Sequence, residues 1–452
     1  MKKSHDLTVG SPMRVLPRFA LPMIVSVIFQ QLYNIADNII AGQYLGDDAL
    51  AAVSVSYPVT MIYMAIAVGM NVGASVVISQ LFGAAEHSRM KTAISTAVVF
   101  TVVIALALTG LGLACMRPIL RLLDTPSGIF GPTYAYLVIY TAGLLFIFLY
   151  NICTGIFTAV GDSVTPLVFL IISSVGNIFL DIAFVSWGHM GVEGCAWATF
   201  VCQLAAAVSA YIVLCIKLKR LPGKREIIFS GDMFRTTARL SVPSVLQQSF
   251  VSVGNLFVQT WVNGYQESYI IGGYGAAIKL NTFMVTIFVS MSSAMSAFTA
   301  QNVGADKRER VPQGWWAAFR LSLIVLLPVT VLYFFFGDIP MRLFATDVSR
   351  QVLEVGRGFL RIVSPFYVVV MVKLISDGVL RGAGVVKQFT ATTFTDLLLR
   401  VGLAWLLPHW FGYVGIWMSW PVGWTLSAAL AVVFYKGGKW KSMDILKSKE
   451  KH

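Results

Sequence analysis

The chain has 452 residues, 57% of them hydrophobic and only 12% charged, with a mean hydropathy of +0.75. Soluble domains run at about 45–50% apolar and 25% charged, so a soluble enzyme or a string of soluble domains is excluded and an all-α polytopic membrane protein is expected. The net charge of +13 does not point to nucleic acid, because the basic residues sit in short segments between apolar runs.

Apolar runs long enough to cross a bilayer predict twelve transmembrane helices, at 15–40, 49–79, 90–115, 131–154, 163–186, 192–216, 235–263, 269–299, 315–336, 356–382, 387–408 and 413–435. The first fifteen residues are polar, and the run after them is too long for a signal-peptide core and lacks an A-x-A-like exit, so it is expected to stay as a helix. That first run carries Asp37, and a carboxylate at membrane depth costs at least roughly 2.5–3.5 kcal/mol, which marks it as a functional candidate. Span five carries Asn177 and Asp181, four residues apart and so on one helical face, as are Tyr33 and Asp37 in span one. The five cysteines, Cys115, Cys153, Cys195, Cys202 and Cys215, lie in or beside apolar runs without a CxxC pair, and read as small buried hydrophobes.

The basic stretch from Lys217 to Arg235 is the one candidate linker and divides six spans from six. The expected organisation is an N-lobe over 1–216, a linker over 217–234, a C-lobe over 235–435 and a basic tail over 436–452. In the second half Lys373 and Asp377 are four apart in span ten, Asp396 and Arg400 are four apart in span eleven, and Lys279 stands alone in span eight. Two readings are open for these charges. They are intrahelical ion pairs that make buried charge tolerable, or Lys279, Asp377 and Asp396 converge on a cavity to bind an anionic part of a substrate or relay an ion.

With the N-terminus cytoplasmic, one side collects Arg14, Arg18, Lys219, Lys224, Lys307 and six lysines from Lys436 onward, among others, and the other keeps Arg117, Arg121, Arg342, Arg350 and Arg357. The positive-inside rule then sets both termini in the cytoplasm. His189 and His409 fall at corresponding outer ends of spans five and eleven and read as interfacial residues, because neither has a metal-ligand partner at suitable spacing. Methionines such as Met70, Met284, Met291 and Met295 read as ordinary packing.

The halves resemble each other in order and spacing. Leu21-Pro22 pairs with Val242-Pro243, Gln80 to Ala84 with Gln301 to Ala305, Gly155 to Gly161 with Gly378 to Gly384, and Gly191 to Gly194 with Gly412 to Gly415, at offsets of 221 to 223 residues. An even number of spans per half makes these parallel repeats about an axis along the membrane normal, two bundles able to rock about a central cavity.

These anchors, with Tyr33-Asn-Ile-Ala-Asp37, Asn177-Ile-Phe-Leu-Asp181 and Leu380-Arg-Gly-Ala-Gly384, resemble the multidrug and toxic compound extrusion (MATE) transporters of the multidrug/oligosaccharidyl-lipid/polysaccharide flippase superfamily. The resemblance covers essentially the whole chain. It implies twelve helices in two pseudo-symmetric six-helix bundles around a cavity, and a secondary antiporter exporting cationic or amphipathic organic compounds in exchange for protons or sodium ions. Within the family the chain looks like the DinF-like branch, whose N-lobe polar cluster matches Asp37, Asn177, Asp181 and Thr199, with Tyr33, Asn151 and Pro22 nearby. The NorM-like branch carries an acid in span seven and another in span ten; here span seven has none and the span-ten position is Val370, so a NorM-type sodium site in the second lobe is not implied.

Facing carboxylates on two helices can share one proton or one monovalent cation. Burial and mutual repulsion favour taking up a proton, and hydrogen bonds from Asn177, Thr199 or Tyr33 to the ionised form act oppositely; the pair titrates as a unit. Sodium, if it is the coupling ion, is expected at Asp37, Asn177, Asp181 and Thr199. Pro22 removes one helical hydrogen bond and supplies a hinge for span one. No metal site beyond that sodium site and no cofactor are expected, nor is an enzymatic activity, since zinc-protease, nucleophile-elbow and P-loop motifs do not occur. The expected partners are a small organic substrate and the lipid bilayer, with no nucleic acid, and the protein is expected as a monomer in a bacterial inner membrane. The alternatives are a lipid-linked sugar flippase or an exporter of one specific metabolite.

Overall fold

The computed structural model describes residues 6–44, 46–188, 190–342, 349–443 and 445, with the backbone alone described over 34–44 and 46–50. Helices occupy all twelve predicted runs. They are α1 (Pro12–Tyr44), α2 (Gly46–Gly83), α3 (His87–Leu122), α4 (Ser127–Ala142 and Leu144–Ala159), α5 (Val164–Ile182), α6 (Gly191–Arg220), α7 (Gly231–Asn263), α8 (Ser268–Gly304), α9 (Arg310–Phe336), α10 (Arg350–Val363 and Tyr367–Gly382), α11 (Val386–Leu406) and α12 (Tyr413–Lys436). Among the described residues nine helices are long and apolar enough to cross a membrane, and the two halves of α4, bent by 47°, make a tenth span. The two that fall short are α7, which carries Gln247, Gln248, Asn255 and Gln259, and α11, which carries Lys387, Asp396 and Arg400. Polar residues inside a span are tolerated where they face protein or water and not lipid. The protein is thus an all-α polytopic membrane protein, as its composition implies. Pro365 sits in a 3₁₀ turn, Ser364–Phe366, that interrupts α10, while α1 runs unbroken through Pro17 and Pro22.

The repeat is visible in the backbone. Helices α2 and α8 end on residues with positive φ, Ala85 at 58° and Asp306 at 56°; α4 and α10 end at Gly161 (83°) and Gly384 (79°); α6 and α12 begin beside Gly191 (60°) and Gly412 (57°). The turns bond alike. Glu86 N donates to Leu81 O at 3.0 Å and Lys307 N to Asn302 O at 2.8 Å, while Asp162 N donates to Phe157 O and Val385 N to Leu380 O, both at 2.8 Å. Each is the long-reach bond of a left-handed helix C-cap, which satisfies a carbonyl the helix leaves open.

Packing divides the helices into two compact units, one formed by Val25–Ser249 and the other by Phe250 onward together with residues 6–24. The division falls inside α1 shortly past Pro22 and inside α7 shortly past Pro243. In the first unit Tyr63, Ala67 and Met70 of α2 pack with Ala105 and Met116 of α3 and with Ile147 and Phe148 of α4. In the second, Tyr274 of α8 stacks flat on Trp417 of α12 at 5.0 Å, and Phe359 of α10 meets both rings edge-on. Met70, Met284, Met291 and Met295 are all buried, as ordinary packing places them.

The segments that lead into α1 and α7 are tied down within their units. Leu7 is buried, donating its N–H to Gln301 Oε1 (3.1 Å) and accepting from Asn302 Nδ2 (3.2 Å), while Lys307 Nζ reaches Thr8 O (3.0 Å). The linker over 217–234 is held on α3, where Lys91 Nζ donates to Leu221 O (2.8 Å) and Gly223 O (2.7 Å) and Ser95 Oγ to Ile228 O (2.7 Å). All six bonds satisfy backbone groups that lie outside the helices.

Candidate functional site

In the first unit the candidate residues come from α1, α4, α5 and α6. Tyr33 reaches across from α1 and its hydroxyl donates to Asn177 Oδ1 on α5. Asn177 is 4% exposed and Asp181, one turn further along α5, is 1% exposed, so a carboxylate is held out of water in a membrane span, where it requires a proton, a cation or polar donors. Asp37 lies one turn beyond Tyr33 in α1, and its side chain is outside the described residues. Helix α6 packs beside α5 there: a Cβ on Gly176 would make an ordinary contact with Cys202 Sγ at 3.8 Å. Thr199, one turn before Cys202 and Gln203, lines a crevice too narrow to admit water with Tyr140, Gly143, Ile147 and Phe200, and among the described contacts it bonds neither Asn177 nor Asp181. Asn151 donates to Ile147 O of its own helix at 2.8 Å. The structure therefore joins Tyr33 to Asn177, with Asp181 a turn away, and turns Asn151 toward its own backbone. Asn71 of α2 was not singled out by sequence, yet its Oδ1 is buried against Gly155, where a Cβ would fall 1.5 Å from it.

At the α4–α5 turn, outside the spans, Asp162 pairs with Lys217 and accepts from Thr165 N (3.0 Å) and Thr165 Oγ1 (2.7 Å). Burial pushes the Asp162 carboxyl up, but the hydrogen bonds from Lys217 and Thr165 and the lysine's charge outweigh it and hold the group below its ordinary range.

The second unit holds a buried charge network. Lys373 Nζ lies 2.9 Å from Asp377 Oδ2, both almost fully buried, and Thr392 Oγ1 of α11 donates to Asp377 Oδ1 at 2.7 Å. Asp396 is within electrostatic range of Lys373. Arg400 does not pair with Asp396 among the described ion pairs; its guanidinium lies over the Trp420 ring at 4.4 Å. Lys279 is exposed on α8 and forms no ion pair with Asp377 or Asp396. So Lys373, Asp377, Thr392 and Asp396 come together, and Lys279 stands apart from them. Spacing along one helix reveals Lys373 and Asp377, but Thr392 and Trp420 lie on neighbouring helices and carry no such signal. His409 is exposed with Nδ1 3.0 Å from Leu406 O, and His189 lies outside the described residues. Among the described residues no group of three His, Cys, Asp or Glu side chains is placed to hold a metal ion.

The MatE family model matches the chain twice, over 22–183 and 243–406, two stretches that begin at the repeat-related Pro22 and Pro243. The chain belongs to the MATE family. It is a multi-pass membrane transporter and not an enzyme. A curated MATE relative, "Probable multidrug resistance protein YpnP" of Bacillus subtilis (strain 168), is 26% identical over 99% of this chain and 100% of its own length. The "FAD transporter" of Shewanella oneidensis is also 26% identical, over 78% of each chain. Among solved structures, "Outward-facing conformation of a multidrug resistance MATE family transporter of the MOP superfamily" superposes with a TM-score of 0.91 at 22% identity, covering 98% of this chain and 99% of that one, a likeness of fold.

Proposed function

We propose that this MATE protein exports cationic or amphipathic organic compounds by alternating access in exchange for protons or sodium ions, from a bacterial inner membrane with both termini cytoplasmic and acting as a monomer. The observation that carries the reading is the Tyr33 to Asn177 hydrogen bond, with Asp181 buried one turn away. It ties α1 to the polar face of α5, so loading Asp181 and Asp37 with a proton or a sodium ion changes what α1 bonds to. Asn177 and Thr199 supply oxygens that suit sodium as well as hydrogen bonds that suit a carboxylate. No cofactor enters the cycle; the coupling ion supplies the driving force. Pro22 gives α1 the missing hydrogen bond at which it bends.

The test is efflux of ethidium from proteoliposomes under a pH gradient or a sodium gradient, imposed separately, on wild type, Asp37→Asn and Asp181→Asn. Gradient-driven efflux lost in both variants supports the reading. Efflux that survives both at the wild-type rate moves the coupling site to Asp377 and Asp396 of the second unit.

A second reading, export of a specific metabolite, is favoured by the relative named as an FAD transporter, which points to anionic cargo within reach of the same fold.

A further inference from the structure

Spans facing lipid expose apolar side chains, and in the second unit α9 does so with Ile324 at 69%, Leu327 at 56%, Val331 at 50% and Phe335 at 64%. Helix α8 differs around its lysine. On the face it leaves open, Gly272, Gly275, Lys279, Thr282 and Thr286 follow one another at steps of three and four residues, and only then does the apolar Val289, 42% exposed, precede Ser293 on the same stripe. Nothing lies within 4 Å of where a Cβ on Gly275 would be, Lys279 and Thr282 are exposed, and Thr286 turns its hydroxyl back to Thr282 O at 2.6 Å. A lysine snorkelling from a lipid face keeps its stem among leucines and valines. Glycine and threonine neighbours instead mark a face wetted by an aqueous passage, where an intramembrane cation is tolerated.

That cation is not neutralised. Among the described residues Lys279 has no ion-pair partner, and Asp377, an acid of the same unit, is engaged by Lys373 at 2.9 Å and by Thr392 at 2.7 Å. Further along the same stripe Arg381 of α10 reaches Ser292 and Ser293 Oγ, each at 3.4 Å, with its guanidinium over the Phe389 ring and no ion pair of its own. Two cations thus border the open face of α8, whereas the span-borne candidates of the first unit are the acids Asp37 and Asp181.

We propose that Lys279, with Arg381 further along α8's open face, recognises an anionic group on the exported compound, so that the substrate class of this transporter includes amphipathic organic anions. The ammonium supplies a charge-assisted hydrogen bond to a carboxylate or phosphate, and Gly275 one turn before it leaves room for an apolar body. This rests on the transport reading above and narrows its substrate.

The full-length protein in proteoliposomes is tested with two probes, carboxyfluorescein as the amphipathic anion and ethidium as the cation, on wild type, Lys279→Gln, Lys279→Glu and Lys279→Arg, with equilibrium binding of each probe measured by anisotropy in detergent. The expected result is that wild type binds and exports carboxyfluorescein, that Lys279→Gln and Lys279→Glu weaken its binding by about tenfold or more while Lys279→Arg retains it, and that ethidium export stays intact in all three. Retained ethidium export also certifies that the variants fold. Carboxyfluorescein binding unchanged in Lys279→Gln and Lys279→Glu would overturn the proposal, as would a wild type that exports ethidium and ignores the anion. A wild type that moves neither probe under either gradient sinks the transport reading itself, and this inference with it.

Discussion

Gly155 and Gly378 stand at corresponding places in α4 and α10, and each lets a neighbouring helix come closer than any side chain would allow. A Cβ on Gly378 would meet the Ser292 carbonyl oxygen at 2.5 Å, and one on Gly155 would meet the Asn71 amide oxygen at 1.5 Å. The distances rank the wrong way for severity, because a backbone carbonyl inside α8 cannot move alone, whereas the Asn71 amide is the end of a side chain. Alanine gains about 1 kcal/mol over glycine in a helix interior, and overpacking costs about 1–3 kcal/mol. Gly378→Ala is therefore expected to lower the thermal midpoint in detergent, Gly155→Ala to change it less, and Gly358→Ala, which has nothing within 4 Å, to raise it. Thermal unfolding of the three purified variants checks the order; a Gly378→Ala protein as stable as Gly358→Ala would mean that α8 and α10 do not pack this tightly. Both glycines sit in a repeat the sequence displays, so their importance was legible there. Which atom each faces was not, because Asn71 and Ser292 precede them by more than eighty residues.

At the scale of elements, the twelve apolar runs were legible because a bilayer demands about twenty apolar residues per span, and each run is found as a helix. The bend in α4 and the 3₁₀ turn in α10 were less so: both halves of α4 are apolar, and composition does not change at Gly143. Charge spacing was informative in part. The four-residue step in α10 does bring Lys373 onto Asp377, but the same step in α11 leaves Arg400 over Trp420, since an aromatic face one helix away competes for a guanidinium. The α10 pair allows a sharp expectation. Removing one partner strands a buried charge at a cost of about 3–5 kcal/mol, whereas replacing both with apolar residues is often neutral. Thr392 already shares its hydroxyl with Phe389 O at 2.8 Å, so it keeps an acceptor when Asp377 is gone. Lys373→Met alone should be strongly destabilised in thermal unfolding, and Lys373→Met with Asp377→Leu should recover most of the loss. If the double variant is stable and still exports ethidium at the wild-type rate, the network is structural; if it is stable and inactive, the network takes part in transport.

The whole molecule repeats one device. Helix α1 belongs by packing to the second unit up to Ile24 and to the first from Val25, and α7 belongs to the first unit up to Ser249 and to the second from Phe250. Each changes allegiance shortly after a proline, Pro22 in α1 and Pro243 in α7, and the family model begins its two matches at those two residues. Proline removes one intrahelical hydrogen bond and its ring crowds the carbonyl four residues earlier, a penalty of about 3 kcal/mol in a helix interior. A helix weakened just before it passes from one unit to the other bends there at lower cost than elsewhere. Restoring the N–H with Pro22→Ala should therefore stiffen α1: the thermal midpoint holds or rises, equilibrium binding of ethidium is retained, and the turnover of gradient-driven efflux falls. Pro243→Ala should do the same in α7 if the repeat is mechanical as well as structural. The decisive comparison is turnover against binding in each variant. Turnover that stays at the wild-type value in Pro22→Ala would remove the hinge from the mechanism. A fall confined to Pro22→Ala would assign the moving part to the helix that carries Tyr33 and Asp37, with α7 as its static counterpart.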